Sequence, residues 1–458
     1  MNESYNIHIN LSDNALFCIE TLENAGFEAF AVGGCVRDSI LGEKPHDFDI
    51  ATNALPNVSE EIFKRAGKKT FDVGKKHGTI SVLFEGEKSD TVEVTTYRSD
   101  GDYLDSRHPE SVEFLKTIEE DLARRDFTMN AIAYNPKRGI VAPYDGIRDI
   151  KNKVIRCVGD PKRRFAEDAL RILRACRFKS QLGFDIEADT WSSAVSKKST
   201  VLHLPNERIT TEIDKLLQGE FVLEALLDCA DVLEVAIPEL TACRGFDQRT
   251  KYHKFDVYEH IAHVVAHAKN TQLLRWAALC HDLGKPSTYF MDEKGAGHFY
   301  GHEYQGERIA KEMLKRFSIP GKTKDQILRL IVRHNDTLSP TRKSIVSTIR
   351  MMDGDVWLYR QLLDLKRADS LGHANAYVKQ VDTYNEIENM LDDMIESGIV
   401  FDVKDLDISG GDLMQLGIEE GPAIKEKLEV GLEWVQCGVC KNNKGDLIAQ
   451  FQKNLQRK

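Results

Sequence analysis

Over residues 30–98, short apolar runs alternate with turn residues: AFAVGG, HDFDIAT, GTISVLF and DTVEVTTY. The last alternates strictly, Val92 and Val94 on one face and Glu93 and Thr95 on the other, which predicts a half-buried strand. From about residue 160 the period changes. In ALRILRACRF, HIAHVVAHA, DQILRLIVRH and EIENMLDDMIES, apolar residues recur at helical spacing and β-branched runs are few. The pattern predicts an α+β chain: a small mixed-sheet head followed by an all-helical body. GDYLDSRHPES (101–111) lies between two strand-like stretches and reads as a loop. No repeat of 20–50 residues and no low-complexity tract interrupts this division.

The 458 residues suffice for two to four domains at roughly 100–200 residues each, with ample core and no need of staples. Apolar residues at 41% and charged residues at 29% fit a globular chain rather than a disordered or fibrous one. No apolar run approaches the ~18–20 residues that span a bilayer. The opening MNESYNIHINLSDNALF lacks the basic and apolar regions of a signal peptide. The expectation is a cytoplasmic protein with no membrane partner. Nine scattered cysteines, an odd number, argue against a disulfide framework. The formal charge of −11 excludes a uniformly basic nucleic-acid coat but not a local basic stripe. Residues 156–179 form one, with eight Lys or Arg against three Asp or Glu.

Candidate chemistry begins at Gly33-Gly34, where an apolar run ends and CVRDSILG opens a helical pattern. A strand ending in two glycines and opening a helix presents backbone N–H groups to an anion, and Arg37 could add a charged donor. An ordinary tight turn has the same sequence. Thirteen residues later, in HDFDI (46–50), alternation puts Asp47 and Asp49 on one face, with Phe48 and Ile50 toward the core. Paired carboxylates repel unless a cation sits between them, and hard oxygen ligands select Mg²⁺ shared with substrate phosphates. Glu93 could supply a third, although D-x-D pairs and strand glutamates are also common on solvated surfaces. Together, glycine turn and D-x-D fit two-metal nucleotidyl transfer.

GGCVRDSILGEKPHDFDIAT (33–52) resembles the nucleotidyltransferase signature of the tRNA CCA-adding enzymes and bacterial poly(A) polymerases. LARRDFTMNAIAYNP (122–136) resembles that family's ribose and phosphate motif, built on Arg124, Arg125, Asp126 and Asn130, and PYDGIRDI (143–150) its connecting turn. RRFAEDALRILRACRF (163–178) resembles the helix through which such a protein selects the incoming base. The resemblance implies that Asp168 and Arg171 read the Watson–Crick edge of CTP or ATP. Spacing by three makes Asp168, Arg171, Arg174 and Arg177 neighbours on one expected helix face, Arg174 and Arg177 holding phosphate and sugar. TYRSDGDYLDSRHPESVEF (96–114) resembles the flexible loop of members that add the terminal A, with Arg98, Asp100, Asp105 and Arg107 as candidates for reshaping the pocket. Residues 185–218 resemble the family's connecting helices, and 405–435 its C-terminal tRNA-binding region.

A second candidate site lies in the body. His281-Asp282 closes an apolar helix in RWAALCHDLGKP, and adjacent His and Asp there can both reach one metal ion. With His260 upstream and Asp369 downstream, they resemble the H…HD…D ligand set of HD-type phosphohydrolases. His302 and His334 fall where two-metal members carry extra ligands, although an isolated helical His is more often structural. Mixed imidazole and carboxylate ligands suit Mn, Fe, Co or Ni better than Mg²⁺. Cys437-Gly438-Val439-Cys440 has neither a second C-x-x-C to complete a zinc site nor a thioredoxin-like setting, and is expected only to pack a helix.

The expectation is therefore a nucleotidyltransferase head (1–150), base-selecting and connecting helices (151–220), an HD domain (240–375) and a C-terminal tRNA-binding region (376–458). The resemblance implies Mg²⁺-dependent addition of CCA to the tRNA 3′ end from CTP and ATP, by a monomer or homodimer, with metal-dependent phosphohydrolysis in the HD domain. An A-adding-only enzyme or a poly(A) polymerase would share this chemistry. An HD phosphohydrolase with a nucleotide-sensing head, or a non-catalytic tRNA-binding protein, would have no need of Asp47 and Asp49.

Overall fold

The computed structural model describes residues 8–45, 47–74, 78–85, 90–100, 112–248, 255–373 and 378–455. They form two compact units, Met1–Ala236 and Ile237–Lys458.

The strands of the first unit are β1 (Ala29–Val32), β2 (Asp49–Thr52), β3 (Lys69–Gly74), β4 (Thr79–Phe84) and β5 (Asp90–Thr96). A small hairpin, β6 (Arg98–Asp100) and β7 (Val112–Phe114), precedes β8 (Ala133–Asn135) and β9 (Gly139–Val141). Seven of these make one sheet in the order β3-β4-β5-β2-β1-β8-β9. AFAV is buried at every position because β1 sits between β2 and β8, which suits its unbroken apolar run. β5 alternates as its sequence predicts, Val92 and Val94 inward and Glu93 outward. Within this sheet, among the described residues, the one parallel pairing is β2 with β5, which opposes Asp49 to Glu93. Phe30, Val32, Ala51, Tyr97 and Leu122 close the core on one face.

Among the described residues, the body is helical except for two minimal sheets, β10 (Val154–Ile155) with β11 (Asp185–Ile186) and β12 (Phe290–Met291) with β13 (Gly297–His298). In the second unit, helix Val257–His267 starts on an Asp256–Glu259 capping box and helix Gln272–Cys280 on a Thr271 cap, both predictable start signals. All eight residues from Leu273 to Cys280 are buried, so this helix runs through the middle of its unit and delivers His281 and Asp282 there. Among the described residues, no helix is long and apolar enough to cross a membrane. All nine cysteines are free thiols. Cys437 caps helix Pro422–Gln436 with its side chain exposed, so it does not pack that helix as expected from the sequence.

Two expectations about the head need correction. β2 begins at Asp49, so Asp47 precedes the strand instead of sharing its face by pleating. The run from Arg163 to Phe178 is not one helix. Helix Pro161–Glu167 stops at Asp168, whose backbone is extended at φ −144°, ψ 107°, and a second helix runs Leu170–Leu182. Asp168 instead accepts from the Leu170 N–H at 3.0 Å, a local bond that competes with helix continuation. Arg171, Arg174 and Arg177 remain on the second helix; Asp168 does not share its face.

Candidate functional site

In the head, the chain leaves β1 through Gly33, at φ +75°, and enters helix Gly34–Leu41 with no side chain capping its N-terminus. A Cβ at Gly33 would lie 3.0 Å from Arg125 Nη1, so glycine is required here for both φ and space. Arg125 is held by Asp121 Oδ2 at 3.2 Å, while its Nε is buried with no hydrogen-bond partner. Its charge also reaches Asp49 and opposes the burial that, with repulsion from Asp47, raises the Asp49 carboxyl above its ordinary value. Burial and the charges of Asp49 and Asp47 likewise raise Glu93. Three mutually repelling carboxylates thus face a guanidinium and an open helix N-terminus, a donor set that fits a hard divalent cation beside a polyphosphate.

Behind this surface lies a network that the sequence did not show. Arg37 Nη1 donates to Asn130 Oδ1 at 2.7 Å, Asn130 Nδ2 donates to Asp126 Oδ1 at 3.1 Å, and Arg174 Nε donates to Asp126 Oδ2 at 2.8 Å. Burial would raise the Asp126 carboxyl, but Arg174 and Asn130 outweigh it and hold it below the usual range. Arg37, Arg174 and Arg177 surround the Phe178 ring at 5.2, 5.3 and 4.3 Å. Arg124 is committed to Asp121 through two bonds of 2.9 and 2.8 Å. Arg171 donates to the Arg124 carbonyl at 2.9 Å and to Glu167 at 3.0 Å, and Arg177 pairs with Glu212 at 3.1 Å. The arginine helix is therefore docked on the 124–130 segment by the side chains expected to meet nucleotide. Arg208, forty residues beyond, donates to Asp168 Oδ2 at 3.1 Å. In the loop, Asp105 and Arg107 lie outside the described residues, as does the side chain of Asp100, while the Arg98 N–H donates to Asp121 Oδ1 at 3.4 Å.

Substituting Gly33 by alanine is expected to push Arg125 off the turn and raise the KM for any nucleoside triphosphate held there. Loss of one charge-assisted contact, about 1.5–3 kcal/mol, corresponds to roughly 10- to 100-fold. Steady-state kinetics check this, and an unchanged KM would place the polyphosphate elsewhere.

In the second unit all six body residues converge. His260, His281, His302 and His334 each turn Nδ1 to a backbone carbonyl, of Gly372, Ala278, Phe299 and Ile331, at 3.4, 2.7, 2.8 and 2.6 Å. That fixes the tautomers and aims every Nε2 inward. Asp282, 1% exposed, divides them: Oδ2 lies 3.3 and 3.1 Å from His260 and His281, Oδ1 3.4 and 3.7 Å from His302 and His334. Asp369 Oδ1 joins the first group, 3.1 Å from His260 Nε2. The result is two potential metal clusters, His260–His281–Asp369 and Asp282–His302–His334. Both Asp282 oxygens and Asp369 Oδ1 are buried, and apart from ion pairs with Lys285 and the imidazoles they have no hydrogen-bond partner among the described residues. Burial would raise Asp282, yet His281 and the Lys285 ammonium, 2.7 Å from Oδ2, hold it well below the carboxylate range. Ionised oxygens held only by ion pairs and facing four imidazole nitrogens fit transition-metal ions, with Asp282 placed beside both histidine pairs.

Residues 29–156 match the family model described as "Poly A polymerase head domain", residues 183–243 that described as "Probable RNA and SrmB- binding site of polymerase A", and residues 250–374 the HD domain. The chain is similar to the CCA-adding enzyme of Bacillus velezensis, 35% identical over 440 residues, 94% of this chain and 96% of that one. The chain belongs to the CCA-adding enzyme family. Its alignment with the Geobacillus thermodenitrificans CCA-adding enzyme is 44% identical over 271 residues, 59% of this chain and 63% of that relative, so under two thirds of its length is spanned. The structure resembles that of the Bacillus stearothermophilus CCA-adding enzyme in complex with CTP, with a TM-score of 0.70, 30% identity and 97% of both chains covered. The Thermotoga maritima CCA-adding enzyme complexed with tRNA shares the fold at a TM-score of 0.58 and 20% identity.

Membership in the CCA-adding enzyme family brings a divalent-metal requirement to the head. Three residues near the sites escaped the sequence reading. Arg208 had no local motif to mark it. Lys285, in HDLGKP, lies one helical turn beyond Asp282. His373 stands four residues after Asp369, with Nε2 3.3 Å from Asp369 Oδ1 and its ring stacked 4.4 Å from that of His260. The i,i+4 spacing could have identified it.

Proposed function

We propose that this chain adds the 3′-terminal CCA to tRNA from CTP and ATP without a nucleic-acid template, in the cytoplasm. The observation that carries this reading is the meeting of Asp49 and Glu93, opposed across parallel strands, with the Gly33 turn and Arg125. Asp47, Asp49 and Glu93 hold Mg²⁺, which when bound lowers the pKa of the attacking hydroxyl and neutralises the triphosphate. Gly33, Gly34 and Arg125 bind the triphosphate, with Arg37, Arg124, Asp126, Asn130, Arg174 and Arg177 shaping the sugar and phosphate pocket. The tRNA 3′-oxygen bonds to the α-phosphorus, the bond to pyrophosphate breaks, and the hydroxyl proton passes to solvent. Asp168 and Arg171 read the base, each accepting or donating at its Watson–Crick edge. Arg208 positions Asp168, leaving Oδ1 and Oδ2 at a fixed angle for the incoming base.

By role we divide the chain into the head (1–150), the base-selecting helices (151–220), the HD domain (240–375) and a C-terminal tRNA-binding region (376–458). In the HD domain, His260, His281, Asp282 and Asp369, with His302 and His334, hold Mn, Fe, Co or Ni, which when bound supplies a hydroxide at neutral pH. The substrate is a damaged 3′ end carrying a 2′,3′-cyclic or terminal phosphate. Water adds to phosphorus, one ribosyl P–O bond breaks, and the proton goes to the ribosyl oxygen. Removing the remaining phosphate likewise restores the hydroxyl that the head extends.

The test uses Mg²⁺ and three tRNA transcripts, ending before CCA, in C or in CC, each given CTP, ATP or both. Three additions to the first transcript, stopping there, are expected. Addition of A alone to the CC end would make this an A-adding enzyme, and extension past three nucleotides a poly(A) polymerase.

A further inference from the structure

The β12–β13 hairpin and the residues after it gather three aromatic rings, two of which, His298 and Tyr300, lie at the edge of the HD cleft. Phe290 and His298 stack at 5.2 Å and 25°, His298 and Tyr300 at 5.4 Å and 16°, and Phe290 and Tyr300 lie 5.6 Å apart. Asp292 Oδ2, 2.9 Å from His298 Nε2, orients the shared ring. Phe290 is 46% exposed and Tyr300 74%, a large apolar area to leave in water beside a buried ionic centre. His298 and Tyr300 line the same cleft, about 710 Å³ in volume, as Asp282, His302, His334 and Asp369, and Lys285 and Lys294 line it too.

The cleft therefore offers cationic and metal-ligating groups at its floor and a flat aromatic surface at its rim. An anionic phosphate joined to a planar heterocycle satisfies both. We propose that Tyr300, backed by His298 and Phe290, stacks the base of the nucleotide whose phosphate enters the HD cluster. The HD site then takes nucleoside phosphates and discriminates against phosphate esters without a base. This rests on the hydrolase reading above, and the experiment separates the two.

Metal-loaded full-length protein is given adenosine 2′,3′-cyclic phosphate and glycerol 1,2-cyclic phosphate, which lacks a base. For Tyr300→Ala the KM of the adenosine ester is expected to rise about 5- to 100-fold, as loss of one stacked base predicts. The kcat for that ester, and both constants for the glycerol ester, stay unchanged, and Tyr300→Trp restores the parent KM. An RNA oligonucleotide with the same cyclic terminus, run in parallel, separates an RNA end from a free nucleotide as the source. An unchanged KM in Tyr300→Ala, or an equal rise for both esters, overturns the stacking site while leaving the hydrolase intact. If the parent hydrolyses neither ester, the hydrolase reading falls and equilibrium binding of adenosine 3′-monophosphate decides. Binding that weakens in Tyr300→Ala upholds the stacking site, and binding that does not overturns it.

Discussion

Replacing Asp49 with asparagine is expected to lower nucleotide addition at least about 1,000-fold, some 4 kcal/mol of transition-state stabilisation, as removing a metal-holding charge predicts. Asparagine keeps the side-chain volume and the register with Glu93, so the β2–β5 pairing survives. Loss of activity through unfolding is separable by its sign. Burial and the Asp47 charge hold the Asp49 carboxyl above its ordinary value, against Arg125. Ionising it therefore weakens the metal-free fold. The cost is absent below the unfolded-state value, grows as pH rises toward the raised folded value, and is complete only above it. In chelator, Asp49→Asn should then melt at or above the parent temperature, while Mg²⁺ should stabilise only the parent. For the same reason the Mg²⁺ concentration for half-maximal addition should rise as pH falls, starting above the ordinary carboxylate range. Addition within tenfold of the parent, sized at single-nucleotide resolution, would falsify the assignment. Hydrolysis in the HD domain should be unaffected.

The second large effect is expected at Asp282. Its two oxygens face two different histidine pairs, so Asp282→Asn should weaken both metal positions at once and reduce phosphohydrolysis by about 1,000-fold or more. His334→Gln, which leaves the Lys285–Asp282 pair intact, should empty only the His302 side. Metal content per chain, measured by mass spectrometry after loading with Mn²⁺ or Ni²⁺, should fall toward zero in the first variant and to half the parent value in the second. Lys285 is 7% exposed and loses its counter-charge in Asp282→Asn, a change worth about 3–5 kcal/mol when a buried pair is broken. The His334 variant therefore carries the test if the Asp282 variant does not fold. Two ions retained per chain in His334→Gln would remove His334 from the second cluster. CCA addition should be unchanged in both, because the head ligands belong to the other compact unit.

Much of this was legible in the chain itself, for a local reason. The period of apolar residues distinguished β5 from the body helices because burial on one face of a strand or helix imposes its own spacing. Gly33, D-x-D and His-Asp are contiguous or nearly so, and their chemistry follows from residue type and short separation. The helix starts at Asp256 and Thr271, not drawn from the sequence above, rest on the same kind of local bond between neighbours.

What the chain alone did not determine depends on which distant groups compete for the same atoms. Spacing by three put Asp168 on the arginine helix, but its carboxylate bonds to Leu170 N–H and Arg208, and the helix breaks there. Arg171 and Arg174 read as free nucleotide ligands until folding supplied the Arg124 carbonyl and Asp126. The split of Asp282 between two histidine pairs requires helices carrying His260, His302 and His334 to converge on the end of a fourth. The sequence by itself thus determined the elements and the kinds of chemistry, because propensity, pattern and residue type act over a few residues. Tertiary structure alone decided partners and geometry, because a buried charge must find its counterpart wherever packing brings one within about 3 Å.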